Sequence, residues 1–353
     1  MKKILVVDDS ALMRRVTCDI INSDSRLHVE DTAVDGVKAL ELCKVKSYDA
    51  IVLDINMPNM DGIAFLKEFK KLRKPSCVIM NSTLTKDGAA ITMEALNLGA
   101  VDFVHKPESL MTAKGEEHKK KFLKILCGAI EGLDDQKKAV APGSKEKSYT
   151  TFKKEHLGPA AKKKIVALAS STGGPKALQH VIPLLPGNLD AAVLIVQHMP
   201  AGFTATLAEH LNELSKMNVK EAAEGDEVVK GTVYIARGGQ HMNYVERHGK
   251  GYIHYSDEPT REGVKPCANY MYESLIQSDF DEITCVVLTG MGKDGTDGIR
   301  NLLPKKNAYI IAQDAASCTV YGMPRAIAAT GWVNQIVTLD QIAKEITTNV
   351  GVK

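Results

Sequence analysis

One stretch near the middle of the chain limits what it can fold into. Residues 162–185, KKKIVALASSTGGPKALQHVIPLL, read as strand, tight turn and helix. Ile165 to Ala169 is an apolar run suited to a buried strand. Ser170, Ser171, Thr172, Gly173 and Gly174 make the turn. Pro175 suits the first position of a helix, where its missing N–H costs nothing. Ala177, Leu178, Val181, Ile182 and Leu185 give that helix an apolar face. The turn carries serine hydroxyls to the strand's C-terminal end, beside free helix N–H groups. That is where an α/β sheet binds ligands and where a developing oxyanion is stabilised.

A chain of 353 residues is long for one core and predicts two domains. With 44% hydrophobic and 25% charged residues it has the balance of a soluble globular protein. No stretch approaches the roughly 20 apolar residues of a membrane span, so direct membrane insertion is not expected. Asp8-Asp9 interrupts the N-terminal apolar run too early for a signal peptide. The 7 cysteines are scattered, without CxxC or zinc spacing, which predicts a reduced cytoplasmic protein with buried thiols. Residues 112–164 carry 14 Lys+Arg against 7 Asp+Glu, whereas residues 165–353 carry 16 against 20. Basic charge is confined to the middle, so neither flanking part is built for a polyanion and nucleic acid is not an expected partner.

Over residues 1–111 short apolar runs alternate with helical patterns. KKILVVDD, LHVEDTA, DAIVLDIN, CVIMNS and VDFVHKP read as five strands, which argues for a doubly wound parallel sheet. Asp8 and Asp9 follow the first strand, Asp54 ends the third, Ser82 follows the fourth and Lys106 the fifth. In a parallel sheet these ends share one edge. Three carboxylates there repel unless a hard cation neutralises them, and Mg²⁺ suits oxygen ligands. One carboxylate can then attack a phosphoryl donor, with a hydroxyl and an ammonium stabilising the phosphoryl oxygens.

Phe122, Leu123, Ile125, Leu126 and Ile130 form an amphipathic helix ending near Leu133. The Lys-, Pro-, Gly- and Ser-rich segment that follows reads as a tether, which Phe152 and Leu157 could pin. A docking strip for an acidic partner or phospholipid is the other reading of that basic segment. Beyond it strands and helices alternate again, with a largely parallel sheet; GTVYIARGGQHMNYV reads as a hairpin or two short strands. Three loops after strands, SSTGG, QHMP and LTGMGKDG, offer a hydroxyl (Ser171), an imidazole (His198) and a carboxylate (Asp294). Serine needs a neighbouring base to become a nucleophile, and a carboxylate fixes the base's tautomer. On residue types alone the choices stay open: Ser170 competes with Ser171, His241 with His198, and Asp297 with Asp294. SSTGG also suits a phosphate-binding turn in a non-catalytic module.

MKKILVVDDSALMR, LDINMPNMDG and FVHKP resemble a bacterial response-regulator receiver. SSTGGPKAL, VQHMPAGFT, VYIARGGQHM, VLTGMGKDGTDG and AQDAASCTVYGMPRAI resemble the catalytic domain of the chemotaxis protein-glutamate methylesterase (CheB) family. The resemblance implies an α/β fold of two doubly wound, mainly parallel-sheet domains, a flavodoxin-like receiver over 1–132 and a Rossmann-like methylesterase over 163–353, joined by a basic flexible linker over 133–162. In the receiver it implies Asp54 as phosphoacceptor, Asp8, Asp9, Asp54 and the Asn56 backbone carbonyl around Mg²⁺, Ser82 (rather than Thr83) and Lys106 as phosphoryl-sensing groups, and a cis Lys106–Pro107 bond. In the second domain it implies Ser171 as nucleophile, His198 as base and Asp294 as orienting carboxylate. Thr172 would line the site and the Met291 N–H would hold the oxyanion. Ser170 stands where the family often has alanine.

The implied activity is hydrolysis of glutamate methyl esters on chemoreceptors, with release of methanol, and deamidation of receptor glutamines. Mg²⁺ would serve phosphorylation, and no cofactor the ester chemistry. The implied partners are the methylated chemoreceptor cytoplasmic domain and a chemotaxis histidine kinase, with recruitment from the cytoplasm to receptor clusters. The unphosphorylated receiver would cover the catalytic edge. A DNA-binding output is the remaining alternative, and the acidic balance of residues 165–353 argues against it.

Overall fold

The apolar runs do become parallel strands, on two separate sheets. The computed structural model describes residues 1–82, 86–106, 115–139 and 163–352, with backbone alone at 86–87 and 135–139. Thr83, the Lys106–Pro107 bond, Phe152, Leu157 and the tether beyond residue 139 lie outside the described residues. The chain divides into two units, Met1–Asp134 and Asp135–Lys353.

In the first unit the strands are β1 (Lys2–Val7), β2 (Leu27–Ala33), β3 (Ala50–Asp54), β4 (Cys77–Ser82) and β5 (Asp102–His105), in the order β2-β1-β3-β4-β5 with parallel pairing throughout. Between them run α1 (Ala11–Asn22), α2 (Gly36–Val45), α3 (Gly62–Lys71) and α4 (Lys86–Leu98). Ser10, Asp35 and Asp61 cap the first three, each side chain accepting a first-turn N–H. The last helix, α5 (Glu116–Ala139), runs past the expected end at Leu133. Its Phe122, Leu126 and Ile130 join Ile4, Val6, Ile20 and Val52 in one buried cluster. The strand order reverses direction between β1 and β3, so Asp8-Asp9 and Asp54 meet at the switch point.

The second unit has a seven-stranded parallel sheet: β6 (Lys164–Ser170), β7 (Ala192–Gln197), β8 (Asn218–Glu221), β9 (Thr232–Ile235), β12 (Glu282–Val287), β13 (Ala308–Gln313) and β14 (Gln335–Val337), in the order β14-β13-β12-β6-β7-β9-β8. Its helices are α6 (Gly174–Val181), α7 (Phe203–Leu214), α8 (Ala268–Ser274), α9 (Thr296–Leu302), α10 (Met323–Ala328) and α11 (Leu339–Val350). GTVYIARGGQHMNYV is split: β9 belongs to the sheet, while β10 (His241–Arg247) pairs antiparallel with β11 (Lys250–Ser256) in a separate hairpin. The direction of strand addition changes between β6 and β12, which puts the turn after Ser170 beside the loop after Val287.

Gly298 lets α9 lie on α8: a Cβ there would come within 2.6 Å of the Asn269 carbonyl oxygen and 2.7 Å of its Cα. Both obstacles are backbone, so relief requires moving a helix. Gly298→Ala is expected to lower the stability of the second unit by about 1–3 kcal/mol, read as a lower urea midpoint with an unchanged slope.

Candidate functional site

Ser171 and His198 each stand one residue beyond a paired position, because Ser170 is in register with Gln197 on adjacent strands. Their backbones are therefore about 5 Å apart, the spacing of neighbouring strands. The His198 N–H donates to the Ser170 carbonyl (3.1 Å), and the Ser171 N–H to the Thr289 carbonyl (3.0 Å) beyond β12. Gly173 makes the turn into α6 at φ 77°, where a Cβ would sit 2.4 Å from the Thr319 side chain. Gly174 opens α6, so Pro175 takes the second helical position rather than the first. Gly290 brings the third loop in: a Cβ on it would lie 2.7 Å from Ser171 Cβ.

His198 Nε2 lies 2.8 Å from Asp294 Oδ2. Its Nδ1 is buried and makes no hydrogen bond, so no bond joins His198 to Ser171 in this state. Nδ1 is the ring nitrogen left to accept a proton. Asp294 is 2% exposed and heavily bonded. Oδ2 also accepts from the Ala268 N–H (2.7 Å); Oδ1 accepts from the Asn269 N–H (3.0 Å), the Gly295 N–H (2.8 Å) and the Cys267 thiol (3.0 Å). Burial pushes this carboxyl up, but His198, Cys267 and the Ala268 N–H outweigh it and bring the pKa down to about 2.

The rivals are placed elsewhere. Ser170 is fully buried and donates to Gln197 Oε1 (2.7 Å). Asp297 pairs with Arg300 at 2.6 Å and Lys293 at 3.6 Å. His241 is fully buried, with Nδ1 accepting from the Cys267 N–H (3.1 Å) and its ring against Tyr270. Thr172 is buried, its carbonyl accepting from Thr289 Oγ1 (2.9 Å). The Met291 N–H makes no hydrogen bond among the described residues. Gln197, Cys267 and Asn269 escaped the sequence reading. Only Gln197 left a signal there, as an amide closing the otherwise apolar run AAVLIVQ.

On the first unit, Asp8, Asp9 and Asp54 bring carboxylate oxygens within 4.8 Å of one another. Lys106 Nζ is 2.5 Å from Asp54 Oδ2 and 3.0 Å from Asp8 Oδ2. The second contact is an ion pair without hydrogen-bond geometry. Burial pushes the Asp54 carboxyl above the ordinary carboxylate range; Lys106 opposes this and Asp8 adds to it. Burial also works against the Lys106 ammonium, but Asp54 and Asp8 hold its pKa above the usual lysine value. Three convergent carboxylates sharing one ammonium fit a hard divalent cation. Asn56 follows with its side chain exposed. Ser82 is buried, with Oγ 2.8 Å from Thr92 Oγ1 and 3.4 Å from the Gly88 carbonyl, both on α4.

A carboxylate pocket at the switch point of one parallel sheet, and a Ser/His/Asp set at the switch point of another, define a response regulator with an α/β enzyme as its output. Comparison with known proteins gives the family. The response regulator receiver domain matches residues 4–114 and the CheB methylesterase domain residues 166–346. The protein-glutamate methylesterase/protein-glutamine glutaminase 1 of Syntrophomonas wolfei is 40% identical over 98% of each chain. The corresponding protein of Bacillus licheniformis is 40% identical over 99% of this chain and 98% of its own. The crystal structure of the Thermotoga maritima CheB methylesterase catalytic domain is 36% identical, with TM-score 0.52, over 53% of this chain and 99% of that one. The chain belongs to the CheB methylesterase family. Its receiver domain implies Mg²⁺ binding for phosphorylation, in keeping with the carboxylate cluster.

The Asp294 pKa, lowered from 3.8 to about 2, means that the folded state binds this proton less tightly than the unfolded state. The carboxylate therefore stabilises the fold above pH 4, by roughly 2 kcal/mol, and that contribution is lost as pH falls towards 2. The stability gap between wild type and Asp294→Asn in urea is expected to be full at pH 6 and to shrink steadily below pH 4. In the first unit, calorimetric titration of Mg²⁺ should show binding weakened about tenfold or more by Asp8→Asn.

Proposed function

We propose that this protein is a phosphorylation-controlled serine esterase that hydrolyses glutamate methyl esters on chemoreceptors and deamidates selected receptor glutamines. The observation that carries the reading is the 2.8 Å His198–Asp294 pair, which leaves Nδ1 without a hydrogen bond on the residue level with Ser171, one step beyond the Ser170–Gln197 pair. In the proposed reaction Ser171 Oγ attacks the γ-carbonyl carbon while its proton passes to His198 Nδ1. The Asp294 carboxylate holds the ring through Nε2 and stabilises the imidazolium. The Met291 N–H supports the oxyanion and Thr172 lines the site. His198 returns the proton to the leaving methoxide, or to the amine when the substrate is an amide. A water, deprotonated by the same imidazole, then hydrolyses the acyl-enzyme to free glutamate.

The receiver would span 1–132, the linker 133–162 and the catalytic domain 163–353, with helix α5 continuing into the start of the linker. Asp54 would take a phosphoryl group from a chemotaxis histidine kinase. Mg²⁺, held by Asp8, Asp9, Asp54 and the Asn56 carbonyl, would screen the negative charge of that transfer. Lys106 would bond a phosphoryl oxygen, and Ser82 would do so by turning its hydroxyl from the Gly88 carbonyl. The protein would work in the cytoplasm at receptor clusters, and the unphosphorylated receiver would block access to Ser171. None of the described helices is long and apolar enough to cross a membrane.

Methanol release from radiomethylated receptor membranes tests this reading. Wild type should release methanol faster with a small phosphodonor and Mg²⁺. Ser171→Ala should lose activity by about 10³-fold or more, and Asp54→Asn should lose the stimulation. Undiminished release by Ser171→Ala would remove the nucleophile assignment.

A further inference from the structure

A buried polar side chain outside the proposed Ser/His/Asp set lies between the nucleophile turn and the base loop. Gln197 is 1% exposed and Ser170 fully buried. The Ser170 hydroxyl donates to Gln197 Oε1 at 2.7 Å. Gln197 Nε2 donates to the Ser171 carbonyl at 3.0 Å and to its neighbour's, the His198 carbonyl, at 3.3 Å. Only this orientation of the amide satisfies the site. Turned over, Oε1 would face two carbonyl oxygens with no proton between them. Gly174 packs against the same amide, since a Cβ there would lie 1.9 Å from Oε1.

The position of this amide gives it a task. The His198 N–H bond to the Ser170 carbonyl, 3.1 Å, is the last backbone bond between the two segments among the described residues. Ser171 and His198 stand just past it, where the ladder no longer fixes their separation. The Gln197 side chain takes over there and ties one carbonyl to the other. We propose that Gln197, held in orientation by the Ser170 hydroxyl, is a positioning residue for ester hydrolysis, setting the gap across which the Ser171 proton reaches His198 Nδ1. The proposal rests on the reading of Ser171 as nucleophile. Neither Gln197 nor Ser170 touches the reacting atoms; both act through the geometry of Ser171 and His198.

The test uses full-length protein with phosphodonor and Mg²⁺. Two rates are read: methanol release, as kcat and KM, and labelling by a fluorophosphonate, which reports serine activation without receptor docking. Gln197→Met keeps the length and removes both donors. It should lower kcat and labelling by about 10- to 100-fold with KM within about threefold. Ser170→Ala should lower both by a few-fold and add nothing to Gln197→Met, because the hydroxyl acts only through the amide. Gln197→Glu can donate only when protonated, so its activity relative to wild type should rise as pH falls from 8 to 6. A merely structural role would not produce that profile.

Rates within twofold of wild type in Gln197→Met or in Ser170→Ala would overturn the proposal, as would losses that multiply in the double variant or appear in KM alone. If circular dichroism shows that Gln197→Met does not fold, Ser170→Ala and the pH profile of Gln197→Glu decide. Labelling that persists in Ser171→Ala would instead refute the nucleophile assignment, a result that the Gln197 variants cannot produce.

Discussion

A carboxylate buried away from water must be surrounded by donors or it will not stay ionised, and Asp294 meets that demand in full. It accepts hydrogen bonds from a ring N–H, a thiol and three backbone N–H groups. Those donors come from four places: the loop after β7, the residue before α8, the first turn of α8, and the residue that follows Asp294 itself. One side chain thus gathers the base loop, a helix N-terminus and the Gly-rich loop around a single point. The helix end contributes its partial positive charge as well. Asn269 extends the arrangement, its N–H on Asp294 and its Oδ1 receiving the N–H groups of Gly295 and Gly298. Rigidity at Asp294 passes to His198 through one 2.8 Å bond.

The pocket on the first unit solves the opposite problem. There three carboxylates converge with too few donors, and one lysine is shared between Asp54 and Asp8. Among the described residues Asp54 Oδ1 accepts only from the Ile55 N–H (2.8 Å). The result is a carboxyl pushed up rather than down. An under-satisfied acidic cluster gains by taking a cation, and a carboxylate with a loosely committed oxygen can become a nucleophile. Full satisfaction suits a residue that must hold another in place; partial satisfaction suits one that must change its bonding. Each arrangement sits at the C-terminal edge of its own unit's parallel sheet.

Much of this was legible in the chain, and the exceptions have physical causes. Interior strands such as Ile165–Ala169 and Ala192–Val196 are buried throughout and read as apolar runs. The edge strands Asn218–Glu221 and Gln335–Val337 bury one residue or none, so no hydrophobic pattern marks them. The hairpin of β10 and β11 alternates too weakly to be told from a sheet strand. Five strand-end positions announced the acidic pocket because period and order repeat. Residue types alone left Ser170 and Ser171 open, and the family resemblance pointed to Ser171. Both hydroxyls follow an apolar run, and only the pairing of β6 with β7 shows that Ser170 is committed to Gln197. The partners of Gln197 Nε2 and of Asn269 Oδ1 are backbone groups, and residue identity does not reveal such partners.

Two units of this kind can be coupled only through a difference in free energy. Phosphorylation alters the enzyme if the second unit, or its access to substrate, is stabilised differently by the two states of the first. Moving such an equilibrium from one part in a hundred to ninety-nine requires about 5.5 kcal/mol. The first unit has two bonded groups from which that difference could arise. The ammonium of Lys106 now serves two carboxylates, and a phosphoryl group on Asp54 would compete for it. Ser82 accepts from Thr92 on α4 and donates to the Gly88 carbonyl at 3.4 Å, and it is this donated bond that a phosphoryl oxygen would replace. Charge-assisted bonds of this type are worth roughly 1.5–3 kcal/mol each, and the bonds given up offset part of that gain, so these two groups supply a share of the required difference without a large change of fold. The coupling would then be set by how α4, bonded to Ser82 through Thr92 and Gly88, answers the turning of that hydroxyl.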